Sequence, residues 1–92
     1  MSAISIGRIV TKVMGREAGL RAVVTQIIDR NFVEITGPFE LTGIKRRRVN
    51  IDHVEPSEFL LKIKKKDTTD EKIMSAIESD DDIKKFITTK VF

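Results

Sequence analysis

"SIGRIVTKVMG", residues 5–15, reads two ways, and the choice between them decides the fold. Its apolar residues Ile6, Ile9, Val10, Val13 and Met14 fall at i, i+3, i+4, i+7 and i+8, the stripe of an amphipathic helix. The residue types say otherwise. Gly7 and Gly15 bracket a stretch rich in Ile, Val and Thr. Such β-branched side chains lose rotamer freedom on a helix and pack well on a pleated surface. Composition and punctuation outweigh periodicity, so the segment is expected to be a strand.

Working outward, the loop "GREAG" (15–19) carries two glycines that permit a tight reversal into "LRAVVTQIID" (20–29). A polar turn, "DRN", then leads to "FVEIT" (32–36), and Gly37-Pro38 breaks the sheet because proline cannot continue a ladder. "RRVNI" (47–51) ends before the polar "DHVEP" (52–56), and "EFLLKIKKK" (58–66) supplies a last extended segment. Short strands joined by tight turns at this spacing indicate a small barrel, not a βαβ sheet. From residue 67 the pattern becomes helical. Thr68-x-x-Glu71 has capping-box spacing ahead of Ile73, Met74 and Ile77. Ser79 stands where a second N-cap is expected, ahead of Ile83, Phe86 and Ile87. The expected organisation is a mainly β barrel over residues 1–66 and a short helical appendage over 67–92 packed on it.

Ninety-two residues make one small domain with a thin core and little room for a deep catalytic cleft. Cysteine is absent, which excludes disulfides, thiolate metal sites and a cysteine nucleophile. No stretch approaches the length of a membrane span, and the first ten residues lack the pattern of a signal peptide, so a soluble chain is expected, for which an intracellular address fits. The net charge of +3 hides an asymmetry. Residues 1–66 carry 13 Lys/Arg against 7 Asp/Glu, or +6, whereas residues 67–92 carry 4 against 7, or −3. The first part therefore projects a positive field suited to a polyanion.

That field concentrates at "KRRR", Lys45, Arg46, Arg47 and Arg48. Val49 and Ile51 share strand parity with Lys45 and Arg47, so one unbroken strand would point two cations into the core, at prohibitive cost. "TGIK" is thus expected to be an irregular loop, with the ladder starting near Arg47 or Arg48 and the cations fanned outward at a loop-to-strand corner. An edge strand protected by charge needs one or two lysines. Successive arginines instead offer planar donor forks that match phosphate oxygens. Lys12, Arg16 and Arg21 lie around "GREAG", which lacks the spacing of a phosphate-cradling P-loop. Lys62 and Lys64 in "KIKKK" read equally as a solvated face or as phosphate contacts. His53 is the only histidine and has no nucleophile or second base spaced with it, so catalysis is not expected. Asp80, Asp81 and Asp82 open a helix and complement its dipole. With no Tyr or Trp to stack on bases, RNA recognition would rest on backbone and shape.

"GRIVTKVMGREAGLRAVVTQIID" resembles a KOW motif, two strands flanking a glycine-containing loop within an SH3-like barrel. The continuation "FVEITGPFELTGIKRRRVNIDHVEP" is similar to one family in particular, the archaeal and eukaryotic large-subunit ribosomal protein fourteen of the e class. The resemblance covers about residues 6–56, and it agrees with strand for the first segment. It implies a structural, non-enzymatic constituent of the large ribosomal subunit, monomeric when free, with ribosomal RNA and neighbouring ribosomal proteins as partners and no cofactor, metal, membrane or small-molecule substrate. Carried over, the candidate rRNA contacts are Lys12, Arg16, Arg21, Lys45, Arg46, Arg47 and Arg48, with Gly15 and Gly19 shaping the loop. Eukaryotic relatives tend to carry a longer basic C-terminal extension, whereas this chain has an acidic, helical tail. A rival reading is a transcription or elongation accessory factor that uses its KOW barrel to dock protein.

Overall fold

A computed structural model describes residues 4–37, 39–65 and 68–89. The ambiguous stretch forms a strand, β1 (Arg8–Lys12). It joins β2 (Arg21–Ile27), β3 (Phe32–Thr36), β4 (Arg47–Asn50) and β5 (Val54–Leu60) in one antiparallel sheet of order β4-β3-β2-β1-β5. β4 and β5 are thus opposite edges, yet a single 3-10 turn, Ile51–His53, connects them. A flat sheet would separate its edges by roughly 19 Å, at about 4.8 Å per strand. A 3-10 segment rises only about 2 Å per residue, so three residues cannot cross that gap. The sheet must curl until its edges approach, which makes it barrel-like. The turn is fixed by Asn50, whose side-chain oxygen accepts from the Asp52 amide, and by the Val13 amide, which donates to the His53 carbonyl at 2.9 Å.

Both faces of the curled sheet are covered. Val10, Ala22, Val24, Val33, Ile35, Ile44, Val49 and Val54 fill its inside. On the outside, Ile9, Val23 and Leu61 meet Ile73 and Ile77 of α2 (Asp70–Glu78) and Ile83 and Ile87 of α3 (Asp81–Thr88). Ile9 and Val10 are adjacent and point to opposite faces, and both are fully buried. Two-sided burial explains the adjacent Ile9 and Val10, whereas Met14, at the end of the helix-like stripe, lies beyond β1 and is largely exposed.

Some boundaries differ from the sequence reading. A one-turn helix, α1 (Phe39–Thr42), occupies the break after Gly37, and Ile44 behind it plugs the inner core. β5 begins at Val54 and runs through Pro56, where the sequence suggested a polar break. An edge strand tolerates proline because one side of it needs no amide donors. The ladder slips between Arg8 and Val10, and there the Ser57 hydroxyl donates to the Ile9 carbonyl at 2.6 Å, in place of a main-chain donor. The strand stops at Leu60, so Lys62 and Lys64 lie beyond it. The helix caps sit one residue later than expected. Thr69, not Thr68, accepts from the Lys72 amide, and Asp80, not Ser79, accepts from the Ile83 amide at 3.2 Å. Ser79 instead closes α2, donating from its amide to the Ser75 carbonyl. Asp80→Ala should therefore lower stability by about 1 kcal/mol. An unchanged urea midpoint would show that α3 does not depend on this cap.

Candidate nucleic-acid interface

The β1–β2 loop is built around a buried lysine. Lys12 shares strand parity with Val10, and its ammonium ends beneath the loop, donating to the Met14 carbonyl at 2.9 Å. It also lies 3.9 Å from the Glu17 carboxylate. Gly15 and Gly19 take φ values of +86° and +90°, and the Gly19 amide donates to the Lys12 carbonyl at 2.8 Å to close the reversal. Arg16 is left exposed at the tip.

The corner stands next to this loop. The ladder begins at Arg47, one of the two starts the parity argument allows, and Lys45 and Arg48 are exposed beside it. Arg47 shares parity with buried Val49, but at the first position of β4 its side chain emerges and stays 56% exposed. Its guanidinium lies 3.3 Å from the same Glu17 oxygen that faces Lys12. Arg48 places its guanidinium 5.1 Å from the centre of the Phe32 ring, within cation–π range.

Arg46 does something else. It donates to Glu34 on β3 at 2.7 Å, to Asp70 at the start of α2 at 2.8 Å, and to the Thr68 carbonyl. Thr25 and Thr36 complete the cluster, with hydroxyls donating to Glu34 and Asp70. Burial alone would lower the Arg46 pKa, but the hydrogen bonds to Glu34 and Asp70 outweigh it and raise the value above that of a free arginine. Arg21 plays the matching part at the other end of the tail. It donates to the carbonyls of Phe86 (2.6 Å) and Thr89 (2.9 Å) at the C-terminus of α3, where a cation is favoured. The same guanidinium stacks 3.8 Å above the Phe86 ring, and burial pulls its pKa down.

The structure thus brings Lys12 and Arg47 together around Glu17, beside Arg16 in the sequence, while Lys45 and Arg48 are exposed at the same corner, Arg48 over Phe32. It separates out Arg21 and Arg46, which clamp the two ends of the helical tail to the barrel. Lys62 and Lys64 are exposed and lie just past Leu60, whose ladder partner is Arg8 at the start of β1. Among the described residues, no group of His, Asp or Glu is placed to hold a metal ion. No helix among them is long and apolar enough to cross a membrane.

Among curated proteins, the chain is 52% identical over 79 residues to the large ribosomal subunit protein eL14 of Pyrobaculum islandicum, covering 86% of this chain and 76% of that one. The protein of the same name from Sulfolobus acidocaldarius is 49% identical over 94 aligned positions, covering 99% and 97%. The chain belongs to the eL14 family. A third member, from Staphylothermus marinus, is 53% identical over 77 residues, covering 84% of this chain and 79% of that one. No protein-family model matches.

In this eL14-family chain, the internal work of three candidate cations was partly legible beforehand. Lys12 has the parity of Val10 and Arg21 that of Val23, so neither was free to point at open solvent. Nothing local marks Arg46, because its partner Asp70 stands 24 positions away.

Proposed function

We propose that the chain is a structural, non-catalytic constituent of the large ribosomal subunit, residing with it in the cytoplasm, and that it holds folded rRNA by phosphate contacts from Arg16, Lys45, Arg47 and Arg48. Family membership supports the first part. The observation that carries the second is the pairing of Glu17 in the β1–β2 loop with Arg47 of the "KRRR" corner at 3.3 Å, which brings the exposed cations of these two segments near one another. Such a surface gains affinity by releasing counterions from the polynucleotide. The absence of Tyr and Trp fits recognition of backbone and shape. Lys12 holds the loop from beneath, Arg21 and Arg46 fasten the tail to the barrel, and Lys62 and Lys64 extend the positive field elsewhere. Neighbouring ribosomal proteins are the natural partners of the remaining surface. The rival role of a protein-docking accessory factor does not account for this cation cluster.

The test is binding to deproteinised large-subunit rRNA across a salt series. Log affinity should fall linearly with log salt, by roughly 0.7–0.9 per phosphate neutralised. Arg16→Ala with Arg48→Ala should weaken binding and reduce that slope by about 1.5, with the circular dichroism spectrum retained. An unchanged slope and affinity would overturn the reading. Arg46→Ala should act the other way, costing about 1–2 kcal/mol of stability while leaving the slope of the folded protein alone.

A further inference from the structure

An acidic residue in the middle of a phosphate-binding surface looks like a defect. Glu17 is one, flanked by Arg16 in sequence and by Arg47 in space. By charge alone, its carboxylate repels RNA. We infer that Glu17 is instead a positioning residue for RNA binding, whose carboxylate ties the β1–β2 loop to the start of β4 and so sets where Arg16 and Arg47 stand. The inference rests on the rRNA-binding reading above.

The geometry carries it. One carboxylate oxygen faces two cations from different elements, the Lys12 ammonium at 3.9 Å and the Arg47 guanidinium at 3.3 Å. The Lys12 and Glu17 side chains are only 8% and 18% exposed, so this pairing is screened less than an ordinary surface contact. Lys12 is also the group that grips the loop through the Met14 carbonyl. The Glu17 carbonyl in turn accepts from the Leu20 amide at 3.0 Å, closing the far side of the same loop. Without the carboxylate, a buried ammonium and a guanidinium would be left near one another with nothing between them. Arg47 would be driven off and the loop loosened. Arg16 and Arg47 would then have to be ordered at the moment of binding, and each rotamer-rich side chain immobilised in this way weakens association.

The prediction has a sign opposite to simple electrostatics. Glu17→Gln adds one unit of positive net charge, yet it should bind deproteinised large-subunit rRNA about three- to tenfold more weakly than the wild type. Its salt slope should not steepen. In free protein, the amide resonances of residues 14–20 and of Arg47 should shift together. In an Arg47→Ala background, the effect of Glu17→Gln should shrink, because the residue it places is already gone. Tighter or unchanged binding by Glu17→Gln, or a full effect persisting in the Arg47→Ala background, overturns the role assigned to Glu17. The Arg16→Ala, Arg48→Ala variant separates the two levels. If it weakens binding while Glu17→Gln does not, only the positioning role falls. If it binds as the wild type does, the rRNA-binding reading falls and takes this inference with it.

Discussion

Gly7→Ala is expected to lower the stability of the chain by roughly 2–5 kcal/mol, combining a left-handed backbone penalty with overpacking. Gly7 sits at φ +93°, where an L side chain is strained whatever the space around it. The space is also missing, because an added Cβ would collide with the Leu61 carbonyl oxygen. That atom is backbone and cannot swing aside. Gly7 is further held between β2 and the residue that follows β5, its amide donating to the Val24 carbonyl at 2.8 Å and its carbonyl accepting from the Leu61 amide at 2.7 Å. Relieving the collision would break the second bond and displace Leu61 from the cluster under the helices. Gly15 provides the control. It has nearly the same backbone, at φ +86°, but its added Cβ would meet only the end of Lys12 at an ordinary 3.6 Å. Gly15→Ala should therefore cost only the backbone share, about 1–2 kcal/mol. Urea titrations with unchanged m values would give both numbers. Equal losses at the two positions would mean that the approach of Leu61 carries no energy.

How much of the fold was readable from the chain depends on how local the deciding physics is. β1, β2 and β3 could be placed because β-branched content and flanking turns are properties of neighbouring residues. The helix-like period of "IGRIVTKVM" misleads for a non-local reason: Ile9 is apolar on account of α2 and α3, more than 60 residues downstream. The start of β5 was missed because Pro56 is a breaker everywhere except on an edge, and edge status is a fact of topology. For the site, charge was legible and partnership was not. Composition counts seven cations around the loop and the corner alike. Only the fold distinguishes Arg46, pinned by Glu34 and Asp70, and Arg21, pinned by Phe86 and Thr89, from Arg47 and Arg48, which face outward. The tail's acidity has the same explanation in part. Asp70 is spent on Arg46 and Asp80 on its own helix, so neither needs an outside partner.

A chain ending at residue 66 is expected not to fold, although the sequence pattern marks residues 67–92 as a mere appendage. The tail buries Ile73, Ile77, Ile83 and Ile87 against the outer face of the sheet. Burial of such side chains contributes about 1.5–3 kcal/mol each, or roughly 6–12 kcal/mol for the four. That is an upper figure, since the unfolded chain is partly compact. It is nevertheless comparable to the whole stability of a domain, about 5–15 kcal/mol. Removing the tail also strips the cover from Ile9, Val23 and Leu61, and it takes away the carbonyls and carboxylate that hold Arg21 and Arg46. The shortened chain should show no cooperative thermal transition and poorly dispersed amide resonances. Ile77→Asp in the full chain should act in the same direction, because it puts a carboxylate with no partner into the centre of that cluster. Arg21→Ala with Arg46→Ala, which removes both clamps but keeps the apolar face, should leave a cooperative transition at a lower midpoint. A sharp transition in the 66-residue chain would show instead that the inner core alone suffices, and that the helices are held by the barrel without holding it in return.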